Sequence, residues 1–168
     1  MKKVTLALFA MMFASLTFAQ TAKKASSSEL GIGVDGAFPI GDFSKFSSFG
    51  IGGTLKYAYN IDENNAITLT SGYINFSGKN GLGSVGYIPV KAGYRYTFPG
   101  NFYVEPQLGV TFATGEGSGS AFTYAGNIGY KFTPAIDLSA RYEGFSKNSV
   151  NTSFIGVRLA YNFSLSGK

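Results

Sequence analysis

The sequence predicts an all-β protein, an eight-stranded antiparallel up-and-down transmembrane β-barrel. From Glu29 onward, apolar and polar residues alternate with period two in eight separate segments. The connections between these segments are alternately long and short, as in barrels that cross a membrane. The 168 residues include 23 Gly, 16 Phe and 11 Tyr, a composition typical of strands joined by tight turns.

The eight segments are about ten residues long and are predicted at 29–38, 49–59, 66–76, 87–98, 102–112, 121–132, 136–145 and 153–163. Short connections, "NIDENN", "PGN" and "TPA", follow the second, fourth and sixth segments. The long connections are predicted as surface loops at 39–48, 77–85, 113–120 and 146–152. Antiparallel neighbours with all short turns at one end are therefore expected.

The N-terminus has the pattern of an export signal. Lys2 and Lys3 precede an apolar run that extends to Phe18, and small residues lead to a predicted cut after Ala19. A membrane anchor is the alternative, but this run is short for a span of about 20 residues. The predicted organisation is a signal peptide at 1–19, a disordered lead-in at 20–28 and the barrel at 29–168.

Composition excludes several functions. Cleavage would leave 12 basic and 9 acidic residues without a clustered basic stripe, so nucleic-acid binding is not predicted. The sequence has no Cys and no His, which removes disulfides, thiol chemistry and His-based catalysis. Asp137, Glu143 and Glu105 could form an acid/base pair, but each has a candidate basic partner. We predict no enzyme activity, no cofactor and no metal site.

Alternation alone does not say which face is outside, because a soluble lipocalin-type barrel has the same period. The positions of the aromatic residues favour a membrane. One predicted girdle lies beside the short turns or at the chain end and consists of Tyr57, Tyr59, Tyr96, Phe98, Phe102, Tyr130, Phe132, Tyr161 and Phe163. A second belt is predicted near the long loops, at Phe38, Phe49, Tyr73, Tyr87, Phe112, Phe122 and Tyr142.

The charged residues on the polar faces are predicted to point into the lumen and to pair there. If Phe98 opposes Phe102 across "PGN", then Arg95 opposes Glu105, and the same step across "TPA" sets Lys131 against Asp137. An eight-stranded interior is just wide enough to be filled by side chains. The predicted lumen charge network comprises Lys91, Arg95, Glu105, Lys131, Asp137, Arg141, Glu143 and Arg158.

The signal peptide, the eight segments and the stretches "IPVKAGYRYTF", "FYVEPQLGV" and "IDLSARYEGF" together resemble the OmpA-like and OmpX-like porin-family outer-membrane barrels. The resemblance covers nearly the whole mature chain. It implies a monomer in the outer membrane of a Gram-negative bacterium, with membrane lipid and the barrel assembly machinery as partners. Such barrels commonly end on an aromatic residue, whereas here "SLSGK" follows Phe163.

Three functions remain open at this point. The first is a structural or surface-interaction barrel whose long loops contact an unidentified extracellular partner. The second is a narrow pore for small solutes or ions, in which an excess of basic lumen residues would favour anions. The third is a soluble exported barrel that binds an apolar ligand.

Overall fold

The computed structural model describes residues 27–81, 83–114, 119–147 and 150–165. These ranges contain eight strands and one short helix, named here in chain order: β1 Ser27–Ile40, α1 Phe43–Phe46, β2 Ser47–Asn60, β3 Asn65–Gly78, β4 Val85–Thr97, β5 Phe102–Thr114, β6 Ser120–Lys131, β7 Ile136–Lys147 and β8 Val150–Leu165.

Each strand pairs with its sequence neighbours in antiparallel orientation, and β1 also pairs with β8, which closes the barrel. The β1–β8 seam extends from Ser28 opposite Leu165 to Ile40 opposite Ser153. Closure gives each of the eight described strands a partner on both sides, which is the condition that a sheet must meet inside lipid. The predicted all-β, eight-stranded up-and-down barrel is confirmed.

Seven of the eight strands are longer than the alternation indicated, and β6 has the predicted length of 12 residues. β1 begins at Ser27, within the predicted lead-in at 20–28, and β8 continues past Phe163 to Leu165. The remainder of the lead-in and the signal peptide lie outside the described residues. The first long connection, predicted as a loop, contains the single turn of helix α1. Within the described ranges, no helix has the length and apolar character needed to cross a membrane.

The tight β4–β5 connection shows why the short turns fix the register. Gly100 and Asn101 adopt φ values of 94° and 68°, in the left-handed region that Gly and Asn tolerate best. Phe98 N donates to Phe102 O at 2.8 Å and closes the turn. Tyr96 therefore opposes Val104, and the predicted register across "PGN" is the observed one.

Apolar and charged side chains are arranged in the reverse of a soluble protein, with apolar side chains outside and charged side chains inside. The outer surface carries large apolar side chains on every strand, among them Ile32, Leu55, Leu69, Val90, Leu108, Ile128, Leu138 and Leu159. The inner face buries Asp, Glu, Lys and Arg side chains. A soluble barrel with an apolar ligand inside requires the reverse arrangement, so the third function predicted above does not fit this fold.

Candidate functional site: the lumen of the barrel

Glu105 is fully buried in the half of the lumen that lies nearer the short turns. Its carboxylate accepts hydrogen bonds from Arg95 Nε at 2.8 Å, Lys56 Nζ at 3.2 Å, the Thr68 hydroxyl at 3.0 Å and Gln107 Nε2 at 2.5 Å. These donors come from β2, β3, β4 and β5. A buried carboxylate is tolerated only when it is paired and hydrogen-bonded, and here four side chains supply that compensation.

A second group of charges lies nearer the end that carries the long loops. Asp35 accepts hydrogen bonds from Arg141 Nη1 at 2.6 Å and from the Thr54 hydroxyl at 2.8 Å. Glu143 accepts a hydrogen bond from Lys91 Nζ at 2.5 Å, and Arg141 Nε lies 3.0 Å from the same carboxylate. Arg141 therefore bridges two acids that come from opposite halves of the chain.

Arg158 connects the two groups. Its Nε donates to Thr54 Oγ1 at 2.7 Å, and its Nη1 lies 3.9 Å from Asp137 Oδ1. Asp137 also accepts hydrogen bonds from the Tyr103 hydroxyl at 3.0 and 3.1 Å. The Arg95 guanidinium lies 4.6 Å from the centre of the Tyr103 ring, a cation–π distance. The lumen network is therefore continuous across the barrel.

Lys131 opposes Asp137 in the β6–β7 register as predicted, but the two do not form the predicted ion pair. Lys131 Nζ instead contacts Glu29 Oε2 on β1 at 2.9 Å. Lys131 and Glu29 are both partly exposed, with 17% and 18% of their side-chain surfaces accessible. The long Lys side chain can reach across this open end to a partly hydrated carboxylate. Asp137, in contrast, is fully buried and contacts Tyr103 and Arg158.

Three charged members of the network were not among the predicted lumen residues: Glu29, Asp35 and Lys56. The signal that could have found them is the alternation itself, because each lies on the polar face of its strand. With them, the described residues place six basic and five acidic side chains in the lumen, against five and three predicted. The basic excess is therefore smaller than the sequence indicated.

Aromatic side chains fill the lumen at the long-loop end. Phe76, Phe145 and Phe154 are buried, and Phe43 of α1 and Tyr87 pack against them; these five residues are called the aromatic plug. Phe76 lies at the centre, with ring centroids 4.9 Å from Phe43, 5.9 Å from Tyr87 and 5.3 Å from Phe154. Such edge-to-face arrangements close the mouth with apolar surface.

The aromatic plug corrects one member of the second predicted belt. Tyr87 points into the lumen rather than toward lipid, because it shares the inward phase of Lys91 on β4. Phe154 lies on the same inward face of β8 as Arg158 and is completely buried.

The opposite end of the lumen, at the short turns, is open. A cavity of 510 Å³ lies there, called the short-turn cavity, and it is lined by Ser27, Glu29, Asn60, Asp62, Glu63, Asn64, Asn65, Ala66, Thr97, Asn101, Lys131, Phe132, Thr133 and Pro134. Its polar lining leads directly to the Glu29–Lys131 pair. Among the described residues, no cluster of three acidic side chains is placed to hold a metal ion.

The structure places all nine residues of the predicted girdle on the outer surface, each with between 38% and 59% of its surface exposed. Several pack edge to face beside the short turns. Ring centroids lie 4.8 Å apart for Tyr96 and Phe98, 5.0 Å for Tyr130 and Phe132, and 4.8 Å for Tyr161 and Phe163. A membrane–water interface selects the Tyr rings, which have an apolar body and a polar hydroxyl, and the Phe rings beside them complete the aromatic girdle.

Solved structures share this fold at low sequence identity. Ail, the attachment invasion locus protein of Yersinia pestis, is 18% identical with a TM-score of 0.63, and the match covers 83% of this chain and 100% of Ail. The N-terminal β-barrel domain of Pseudomonas aeruginosa OprF is 14% identical with a TM-score of 0.62, and covers 82% and 99%. Neisserial surface protein A is 14% identical with a TM-score of 0.51, and covers 83% and 97%.

No curated protein sequence matches this chain. A family model does match, under the description "Outer membrane protein beta-barrel domain", and it spans residues 5–163. That span includes all of the strands up to Phe163, together with the lumen network, the girdle and the aromatic plug. The chain therefore belongs to the outer membrane protein beta-barrel domain family.

Proposed function

We propose that this protein is a closed, non-enzymatic barrel of the Gram-negative outer membrane that acts through its long loops. The observation that carries the proposal is the filling of the lumen. Arg95, Tyr103, Lys91, Glu105 and Glu143 are each less than 2% exposed in its middle. The aromatic plug then closes the long-loop end. A barrel filled in this way presents its surface to partners rather than a passage to solutes.

The first two long connections support a contact surface because they are tied together. Lys79 N donates to Phe46 O at 2.8 Å, and Lys79 Nζ donates to Ser44 O at 2.7 Å. Phe43 anchors α1 by packing in the aromatic plug, whereas Phe46 of the same turn is 58% exposed. Phe46 is therefore a large apolar side chain that a braced loop holds outward, where a partner can bury it.

The relatives suggest a probe for this surface. One structure of Ail is a complex with the heparin analogue sucrose octasulfate, so sulfated saccharides are a reasonable first class of partner for this chain. Lys79 and Lys147 supply positive charge at the same end of the barrel as Phe46, and Lys45 lies there too, paired with Asp42 at 2.7 Å. We also propose that the protein is exported with its signal peptide removed, is inserted by the barrel assembly machinery and is a monomer in lipid.

The alternative is a narrow pore, and the 510 Å³ short-turn cavity favours it. Solutes entering there would meet the lumen network and then the aromatic plug. Conduction would require both to rearrange, which is why the closed barrel is preferred.

The test combines adhesion and conductance. Cells that display the protein are expected to adhere to heparin-coated surfaces better than cells that carry an empty vector, and Lys45→Ala and Phe46→Ser are expected to reduce that adhesion. Ser84→Ala, an exposed substitution at the same end, serves as the control. Heat-dependent gel mobility verifies that each variant forms a closed barrel. Steady single-channel currents together with unchanged adhesion in Lys45→Ala and Phe46→Ser would favour the pore instead.

A further inference from the structure

The five residues of the aromatic plug are not held in the same way. Four of them lie on paired strands, namely Phe76, Tyr87, Phe145 and Phe154. Each of the four opposes a residue on both neighbouring strands, as Phe154 does with Glu143 and Pro39. Their backbone cannot leave the mouth of the barrel unless ladder hydrogen bonds break. Phe43 is different, because it belongs to α1 and lies outside every strand.

α1 is joined to β1 and β2 at a level where those two strands are no longer paired with each other. The β1–β2 ladder ends at the pair of Ala37 and Gly50. On the β1 side of α1, Gly41 has a φ of 60° and open space around its Cα, a conformation that Gly adopts without strain. On the β2 side, the ladder with β3 shifts register between Ser47 and Gly50. The backbone can therefore bend on both sides of α1.

Few contacts hold α1 over the mouth. Phe43 packs on Phe76 with ring centroids 4.9 Å apart. Among the described residues, the two hydrogen bonds that tie α1 to a more distant part of the chain both come from Lys79. Lys79 N donates to Phe46 O at 2.8 Å, and Lys79 Nζ donates to Ser44 O at 2.7 Å. Lys79 is exposed, so water can replace these bonds at a small net cost. An element held in this way opens before the strands do.

We propose that α1 is a lid on the long-loop end of the lumen, with its hinge at Gly41 and with Lys79 as the residue that holds it closed. When the lid opens, Phe43 leaves Phe76, and the space of one aromatic ring becomes accessible to water and small solutes. The buried lumen network stays in place below, so opening creates an apolar chamber and no continuous passage. The inference holds whether the long loops bind a partner or the barrel conducts.

Ala37 can report the opening. It is completely buried and belongs to the apolar cluster on which Phe43 packs. The sequence has no Cys, so Ala37→Cys introduces a single thiol, and Cys is small and apolar enough for this position. Iodoacetamide, which carries no charge, reaches the thiol only while the thiol is exposed. The alkylation rate therefore measures how often the lid is open.

The experiment compares the alkylation rate of Ala37→Cys with and without Lys79→Met, in folded protein in detergent. Lys79→Met removes the hydrogen bond to Ser44 O and leaves the backbone bond to Phe46 O. The rate is expected to rise about two- to tenfold, the factor that corresponds to one hydrogen bond. Equal rates in the two backgrounds would overturn the proposal.

Two controls separate lid opening from other effects. Lys147→Met removes the same charge at the same end of the barrel, from an ammonium that lies beside Gly119, and is expected to leave the Ala37→Cys rate unchanged. Ala160→Cys places the thiol in the lumen network, opposite Asp137, and its rate is expected to be the same with and without Lys79→Met. An equal rise with Lys147→Met would reveal a charge effect, and an equal rise at Ala160→Cys would reveal a general loosening. Either result would overturn the proposal.

A second thiol and a measurement on the wild-type protein keep the test decisive. If Ala37→Cys does not fold, Ile74→Cys, at 3% exposure in the same apolar cluster, takes its place. In the wild type, the Lys79 backbone amide is expected to exchange its hydrogen faster than the amides in the middle of β3, because it is released whenever the lid opens. Exchange of the Lys79 amide as slow as that of the β3 amides would show that α1 leaves only when the barrel unfolds, and would overturn the proposal.

Discussion

Arg95 and Glu105 meet across the tight turn between β4 and β5, with Arg95 Nε donating to Glu105 Oε2 at 2.8 Å. Both side chains are buried, and Glu105 also holds Lys56, Thr68 and Gln107. One carboxylate therefore ties together donors from four successive strands.

Replacing Glu105 with Gln is expected to destabilise the barrel by roughly 3–5 kcal/mol, because Arg95 and Lys56 would remain buried without their counter-charge. The free energy of unfolding in urea measures the loss, followed by heat-dependent gel mobility. Asp42→Asn is the control, since Asp42 pairs with Lys45 at 2.7 Å in an exposed position. No measurable change is expected there. Equal unfolding midpoints for the two variants would contradict the importance of the Glu105 cluster.

Replacing Gly129 with Ala is expected to cost about 1–3 kcal/mol through overpacking. Tyr103 lies directly over Gly129, and an added Cβ would overlap its ring. Displacing that ring would also break the hydrogen bonds from Tyr103 to Asp137. Gly126→Ala on the same strand has open space at its Cβ and is the matched control. An unfolding midpoint in Gly129→Ala as high as in the control would show that Tyr103 can move freely.

Replacing Phe76 with Ala is expected to cost about 3–5 kcal/mol and to loosen the aromatic plug, because Phe76 packs against Phe43, Tyr87 and Phe154. Planar-bilayer recordings are expected to show more frequent current steps than in the wild type. Phe112→Ala, which removes a 45% exposed outward ring near the same end, is expected to leave the current unchanged. Identical currents in Phe76→Ala and the wild type would place the barrier to ions in the lumen network instead.

Acid is expected to loosen the β2–β3 turn through Asp62. Burial raises the pKa of Asp62, but hydrogen bonds from the backbone of Asn64 and from the side chain and backbone of Asn65 outweigh it and hold the pKa below the ordinary value of 3.8. A lowered folded-state pKa stabilises the turn above the unfolded value, and the stabilisation is lost as the pH falls through the folded pKa.

The measurement for Asp62 is hydrogen exchange of the Asn64 and Asn65 backbone amides, which both donate to Asp62 Oδ1 at 2.8 Å. Protection is expected at neutral pH and is expected to fall in acid after correction for intrinsic rates. Asp62→Asn has no charge to lose, so its protection should not depend on pH. Acid-resistant protection in the wild type would refute the role of the carboxylate.

Much of the fold follows from the sequence because the alternation and the short turns are local. "PGN" allows one register, so the opposition of Arg95 and Glu105 could be worked out by counting. Tyr87 could have been placed inside by the same counting from Lys91. Its aromatic character and its position near a long loop favour the lipid face, but its phase along β4 places it inside.

The contacts across the lumen could not be predicted in this way. Lys91 reaches Glu143, Arg141 reaches Asp35 and Lys131 reaches Glu29, although none of these pairs lies on neighbouring strands. Such contacts depend on how the sheet closes and on side-chain length. The register between two neighbouring strands gives no information on either. The turn of helix at α1 was also missed, since four residues are too few to show a helical period.

The β1–β8 seam has a consequence for the order in which the protein can be made. The two strands that close the barrel are the first and the last of the eight described strands, so closure must wait until the chain has been made as far as Leu165. Until then, both edges of the unclosed sheet have unpaired N–H and C=O groups that can pair with a strand of another chain. A chain shortened within β8 is therefore expected to keep both edges of its sheet unpaired and to associate with other chains through them, however well its other seven strands were formed.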